Sequence, residues 1–257
     1  MKKLLIFTAF YAFLVSFSFS KEAKKLAPAF KVLVLSENGG HHILYSKTAK
    51  IWLDKLAQDS NFSIEYIQNT VKIDEEFLDK FQVFIQLDFP PYGWGEKAES
   101  AFQKYLNKTG RGWVGFHHAS LLGEFDGFPM WGWFSDFMGG IRFKNYIPGF
   151  AEAKVSVEDG SHPVMKGVPG SFIVKKDEWY TYDKSPRSKV HVIASVDEAS
   201  YTPDSDIKMG DHPVIWTNDR FAARNIYIFM GHSPDLFDNQ SYTTIFRNAI
   251  FWAAGGQ

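Results

Sequence analysis

Two histidines close a run that otherwise reads as a buried strand. In GRGWVGFHHAS, residues 110–120, Trp113, Val114, Gly115 and Phe116 follow a Gly-Arg-Gly turn, and His117 and His118 come directly after them. Imidazole titrates near neutrality and, when neutral, offers a lone pair to a metal, so this position suits acid–base or metal-ligand chemistry. The same switch from apolar run to polar side chain recurs at His232 in MGHSP (230–234) and at Asp88 after Leu87. It also recurs at His41 and His42, which follow the run ending at Leu35 and a polar loop. One of these two faces the site, and the sequence leaves open which. Glu178 stands in DEWY (177–180). A carboxylate beside Trp179 and Tyr180 suits a sugar, because the acid holds hydroxyls or moves a proton while a ring covers the apolar face of a pyranose. We assign that role to Glu178 rather than Asp177.

His117, His232 and Glu178 are therefore the candidate catalytic groups. The candidate substrate-binding residues are His41, His42, Asp88, His118, Trp179, Tyr180 and Trp131, with the segment from Gly127 to Phe134 as a lid or wall. Imidazoles and carboxylates converging on one cleft also suit a divalent metal such as Zn²⁺, Mn²⁺ or Ni²⁺, with His117, His232 and His42 as candidate ligands. Neither HExxH nor His-x-His occurs, so no linear motif specifies an ion.

The elements that must position these groups alternate. Lys31 to Ser36 is a continuous apolar run, and Ile43 to Asp59 carries Leu44, Thr48, Ile51, Trp52, Lys55 and Leu56 at helical spacing. Phe62 to Ile67 reads as a second strand, Asp74 to Lys80 as a short helix, Phe81 to Leu87 as a third strand, and Gly95 to Asn107 as a helix. Strands alternating with helices predict an α/β three-layer sandwich, flavodoxin-like, with a mostly parallel central sheet and helices on both faces. Ligands in such sheets bind beyond the carboxyl ends of the strands, where His41, His42, Asp88, His117 and His118 all fall. The second half is less regular: strands are expected at 151–157, 190–194, 214–217 and 225–230, and a closing helix over 242–254. The Ser161–Val164 and Asp211–Val214 stretches read as turns.

Several stretches, in order, resemble the ThuA-like (trehalose utilisation) family of the class I glutamine amidotransferase-like superfamily: KVLVLSENGGHH, GRGWVGFHHAS, SHPVMKGVP, KKDEWYTY, GDHPVIWTND, MGHSPDLF and IFRNAIFWAAG. The resemblance covers a domain from 28 to 256 and implies a glutamine amidotransferase-like fold and a role in carbohydrate metabolism. It places His117 at the strand-to-helix elbow where amidotransferases carry their nucleophilic cysteine, and His232 at their later histidine position. The chain has no cysteine, so amidotransferase activity does not carry over.

Composition narrows the rest. The chain has 257 residues, 45% hydrophobic and 22% charged, with a net charge of −1, which leaves no field to attract nucleic acid or an anionic membrane surface. Absence of cysteine also excludes disulfides and thiolate ligands, so any metal would sit on His, Asp and Glu. No Gly-x-Gly-x-x-Gly or P-loop occurs, so no nucleotide cofactor is expected. Residues 1–20, MKKLLIFTAFYAFLVSFSFS, have the charged start, apolar stretch and small-residue end of a signal peptide. The protein is thus expected to be exported, periplasmic or secreted, with no other membrane span. The expected partner is a small-molecule saccharide. The reading is an enzyme acting on a saccharide or keto-saccharide by His/Glu acid–base or metal-assisted chemistry; the alternative is a non-catalytic carbohydrate-binding protein.

Overall fold

The computed structural model describes residues 28–37 and 40–256, so the expected signal peptide lies outside the described residues. In the first half, β1 (Lys31–Leu35), α1 (Ile43–Ser60), β2 (Ser63–Ile67), α2 (Glu75–Leu78), β3 (Val83–Gln86), α3 (Glu96–Leu106) and β4 (Gly112–Phe116) alternate as expected. After β4 come a 3₁₀ turn at His117–Ser120, α4 (Gly132–Phe137), β5 (Phe143–Tyr146), β6 (Ala151–Val157), β7 (Ser171–Asp177) and β8 (Tyr180–Tyr182). The chain closes with β9 (His191–Thr202), β10 (Pro213–Thr217), β11 (Arg224–Ile228) and α5 (Gln240–Ala253).

The nine-stranded sheet runs β2-β1-β3-β4-β11-β10-β9-β6-β7. The pairs from β2 to β11 are parallel, and those from β11 to β7 are antiparallel. The expected parallel sheet is therefore one half of a mixed sheet. The physical reason is the connections: β6 to β7 and β9 to β10 have no helical crossover to reverse the chain, so those strands meet head to tail.

Alternation along the strands sorts the core into two layers. In β4, Phe116 meets Phe246 of α5 with ring centroids 4.3 Å apart, whereas Trp113 packs on the other face against Phe102 of α3 and Phe137 of α4. Truncating Phe246 to Ala would cost about 3–5 kcal/mol, the usual range for a buried phenylalanine. Gly112 lets α5 approach closely, because a Cβ there would lie 2.3 Å from the Ala253 carbonyl oxygen. The buried stripe of α1 is Tyr45, Ala49, Leu53 and Ala57. This corrects the expected stripe: Leu44 and Ile51 point outward, because the buried face runs through Tyr45, Ala49, Leu53 and Ala57 at i, i+4 spacing and leaves them on other faces of the helix.

Candidate active site

The carboxyl ends of β1, β3, β4 and β11 are neighbours in the sheet, and the chain segments following β1, β4 and β11 open onto one cleft. Its volume is about 490 Å³, ordinary for a small-molecule site. His117 sits immediately beyond β4 with φ of +36°, a left-handed conformation that a β-carbon disfavours. The hydroxyl of Ser120 donates to the His117 carbonyl at 3.0 Å and accepts from Tyr182 at 2.7 Å, while the Tyr227 hydroxyl lies 3.0 Å from the same carbonyl. These contacts over-determine the strained turn, as expected where strain serves a site. Gly231 is required by this turn, because a Cβ there would come within 2.9 Å of the His117 Cβ.

His117 is fully buried. Its Nδ1 lies 3.2 Å from the Phe229 carbonyl, which can only accept, so Nδ1 carries the proton and the Nε2 lone pair of the neutral ring faces the cluster. Burial holds its pKa down to about 3, and Glu178 pulls weakly the other way. Around Nε2 stand Glu178 Oε2 at 3.3 Å and His232 Nδ1 at 3.3 Å. His232 Nδ1 also lies 3.2 Å from Glu178 Oε2 and 3.0 Å from His42 Nε2. Burial alone would raise Glu178, but its contacts with His117 and His232 outweigh that and hold it below the ordinary carboxylate range. The centre therefore sets the ionised carboxylate of Glu178 beside the neutral ring of His117, a set that can accept protons or hold a cation.

Of the first pair, His42 is the inner residue: it is buried at the start of α1, and burial lowers its pKa to about 4. His41 is exposed on the rim. His118 stands beside His42, with ring centroids 3.9 Å apart. Tyr180 lines the cleft as expected and stacks on His117 at 4.5 Å.

Three expectations are corrected. Asp88 is fully buried behind the cleft, where it accepts from the Glu37 backbone N–H at 2.6 Å and from the Ser46 hydroxyl; it positions the first loop instead of touching a ligand. Trp179 is fully buried, stacked on Phe229, with its ring N–H donated to the Ala151 carbonyl. Trp131 packs against Trp94, Trp133 and Phe134, so Gly127 to Phe134 is not the cleft wall. Large indoles gained more from burial than from the rim. The wall is instead Phe143 and Tyr146 of β5, Phe150 and Tyr180.

Two residues of the site escaped the sequence reading. Glu37 places its carboxylate 3.6 Å from His42 Nδ1 and 3.5 Å from His118 Nδ1. Asp177 is fully buried and accepts backbone N–H groups from Gly231, His232 and Ser233, each at 3.0 Å. It fixes the loop that carries His232 to the end of β7, the far edge strand, and so delivers Glu178. An acid adjacent to Glu178 was the available signal.

Residues 31–253 match the family model for ThuA, described as trehalose utilisation. The chain belongs to the ThuA family. It is similar to a ThuA-like protein from Bacteroides uniformis, with 30% identity, 90% of this chain and 93% of that one covered, and a TM-score of 0.79. A ThuA-like protein from Parabacteroides merdae is 19% identical, with coverage of 89% and 91% and a TM-score of 0.65. No curated protein matches. The family description links this ThuA-family chain to carbohydrate metabolism. Its fold is the amidotransferase-like one seen in a GMP synthase component from Thermoplasma acidophilum, 15% identical over 88% and 94% of the two chains with a TM-score of 0.53.

Proposed function

We propose that this ThuA-family chain is an exported enzyme that acts on a neutral saccharide or keto-saccharide at the His117–His232–Glu178 centre. The observation that carries the reading is the convergence of these three side chains, with mutual contacts of 3.2–3.3 Å, at the head of a cleft walled by aromatic rings. Ring faces suit the apolar side of a pyranose. No Lys or Arg lines the cleft among the described residues, which favours an uncharged sugar over a phosphorylated one.

A carbonyl in the sugar acidifies the adjoining C–H bond. Ionised Glu178 or the lone pair of His117 Nε2 then serves as the base, and His232, between them, carries a proton to the departing or newly formed hydroxyl. That division of roles accommodates isomerisation or elimination, and net hydrolysis where water then adds to the double bond that elimination leaves. The test is a panel of neutral disaccharides and their keto forms followed by NMR in D₂O, where deuterium entering beside the carbonyl reports proton abstraction. Turnover that survives alanine at both His117 and His232 overturns the proposal.

The aromatic wall also supports a second reading, non-catalytic carbohydrate binding. It requires affinity that survives His117→Ala and falls in Phe150→Ala, with no change in the sugar.

A further inference from the structure

We propose that His117 Nε2, His232 Nδ1 and Glu178 Oε2 form a two-histidine, one-carboxylate site for a divalent first-row transition metal, Zn²⁺ foremost, with the remaining coordination position facing the cleft. The proposal rests on the reading of this cleft as the reactive centre.

Geometry is the first argument. Zinc bound at about 2.0–2.1 Å by four ligands at tetrahedral corners sets those ligand atoms roughly 3.3 Å apart, and each corner has three neighbours at that spacing. His117 Nε2, His232 Nδ1 and Glu178 Oε2 form one complete face of that figure, with edges of 3.3 Å from His117 to His232, 3.2 Å from His232 to Glu178 and 3.3 Å from His117 to Glu178.

Proton counting is the second. The Nδ1 proton of His117 is committed to the Phe229 carbonyl, so its Nε2 presents a lone pair. Glu178 presents only lone pairs when ionised. A single proton on His232 Nδ1 can satisfy Glu178 or His117 but not both, and a cation between the three atoms satisfies all of them. The outer contact agrees. Metal-ligating histidines turn their other nitrogen to a carbonyl or carboxylate, and here Nδ1 of His117 meets the Phe229 carbonyl. Donor chemistry narrows the ion, because imidazole nitrogen with one carboxylate suits zinc and its neighbours and disfavours calcium and magnesium. A metal there would polarise a sugar carbonyl or hydroxyl entering from the cleft, and with His117 Nε2 and Glu178 Oε2 on the ion the second oxygen of Glu178 would be the one left to take the proton.

The test uses the untagged protein, stripped by chelator and titrated with Zn²⁺ by calorimetry and with Co²⁺ by visible absorption. The expected result is saturation at one equivalent and an intense Co²⁺ band of the kind a four-coordinate site gives. Glu178→Gln and His232→Gln should each weaken Zn²⁺ by about 100-fold or more, while His191→Gln, on the far surface, leaves it unchanged. Circular dichroism identifies any variant that fails to fold, and Glu178→Gln keeps side-chain volume. Uptake that does not saturate, or that changes less than tenfold in both cleft variants, overturns the site. Neither readout involves sugar. Metal binding without turnover therefore sinks the carbohydrate reading alone, and turnover that depends on His117 in a protein that binds no metal sinks the metal alone.

Discussion

Two of the histidine–glutamate pairs, His212–Glu198 and His117–Glu178, each with a fully buried histidine, differ in what else the carboxylate does. Outside the cleft lining, just before β10, His212 Nδ1 lies 3.0 Å from Glu198 Oε1, and both side chains are buried. Glu198 spends both oxygens on backbone: Oε1 accepts from Met209 N–H and Oε2 from Gly210 N–H, each at 2.7 Å. In the other pair, His117 lies 3.3 Å from Glu178, whose carboxylate meets a second imidazole and borders the cleft. A His–Glu contact is therefore no sign of chemistry by itself. Glu198 ties down a turn, while Glu178 is held ready by surroundings that Asp177 and the strained backbone at His117 fix in advance.

The largest expected difference is in turnover. Glu178→Gln or His117→Gln should lower the rate on a responsive saccharide by about 10²–10⁴-fold, the usual worth of a positioned acid or base. Glu198→Gln should leave the rate per folded molecule unchanged. Steady-state kinetics normalised to folded protein checks this, and equal losses in both variants would erase the distinction.

Stability should order the pairs the other way. Glu198→Ala strands the Met209 and Gly210 N–H groups and should cost about 2–4 kcal/mol. Glu178→Ala, in chelator, relieves a carboxylate crowded by lone pairs and should cost less than about 1 kcal/mol, as at sites where function and stability conflict. Urea unfolding of both variants measures the contrast.

Two glycines refine it further. Gly231→Ala drives a Cβ into His117 and should cost about 1–3 kcal/mol together with activity. Gly210 has open space around it but φ of +87°, so Gly210→Ala should cost about 1–2 kcal/mol in backbone strain and leave activity intact. Unfolding and rate measured on the same preparations separate the two. Activity lost in Gly210→Ala would show that the Gly210 turn is coupled to the cleft.

How much of this was legible follows from how local each determinant is. Strands β1, β3 and β4 announced themselves as apolar runs ending in polar residues, and their neighbouring order gathered His42 and His117 without further information. Burial of Trp131 and Trp179 was not legible, because a tryptophan beside Gly or in a short loop looks the same whether it caps the core or lines a cleft. Glu37 and Asp177 were missed because their partners, His118 at 81 positions' remove for one and the 231–233 loop for the other, exist only once the sheet has closed. The antiparallel half was the least legible. Its long strand β9, buried and exposed by turns, gave only its first residues as an apolar run.

The pH dependence separates the regions by window. In the unfolded chain a histidine titrates near 6.5; in the folded protein burial lowers His42 to about 4 and His117 to about 3. Between those values the unfolded state binds the extra protons, so stability falls as pH falls, by up to about 1.4 kcal/mol per pH unit for each histidine. Glu198 is also lowered, against a burial effect that would raise it, by His212 and the Met209 and Gly210 N–H groups. Its contribution is present above the ordinary glutamate value and is lost only as pH drops below it. Acid should therefore weaken the cleft first, from about pH 6.5 downward, and the His212–Glu198 pair later. Stability measured in chelator from pH 7 to 4 should show the early slope, and His117→Gln should flatten it while Glu198→Gln does not. A slope unchanged by His117→Gln would mean that this histidine is already protonated in the fold, and Glu178 would then be its salt-bridge partner instead of a free base.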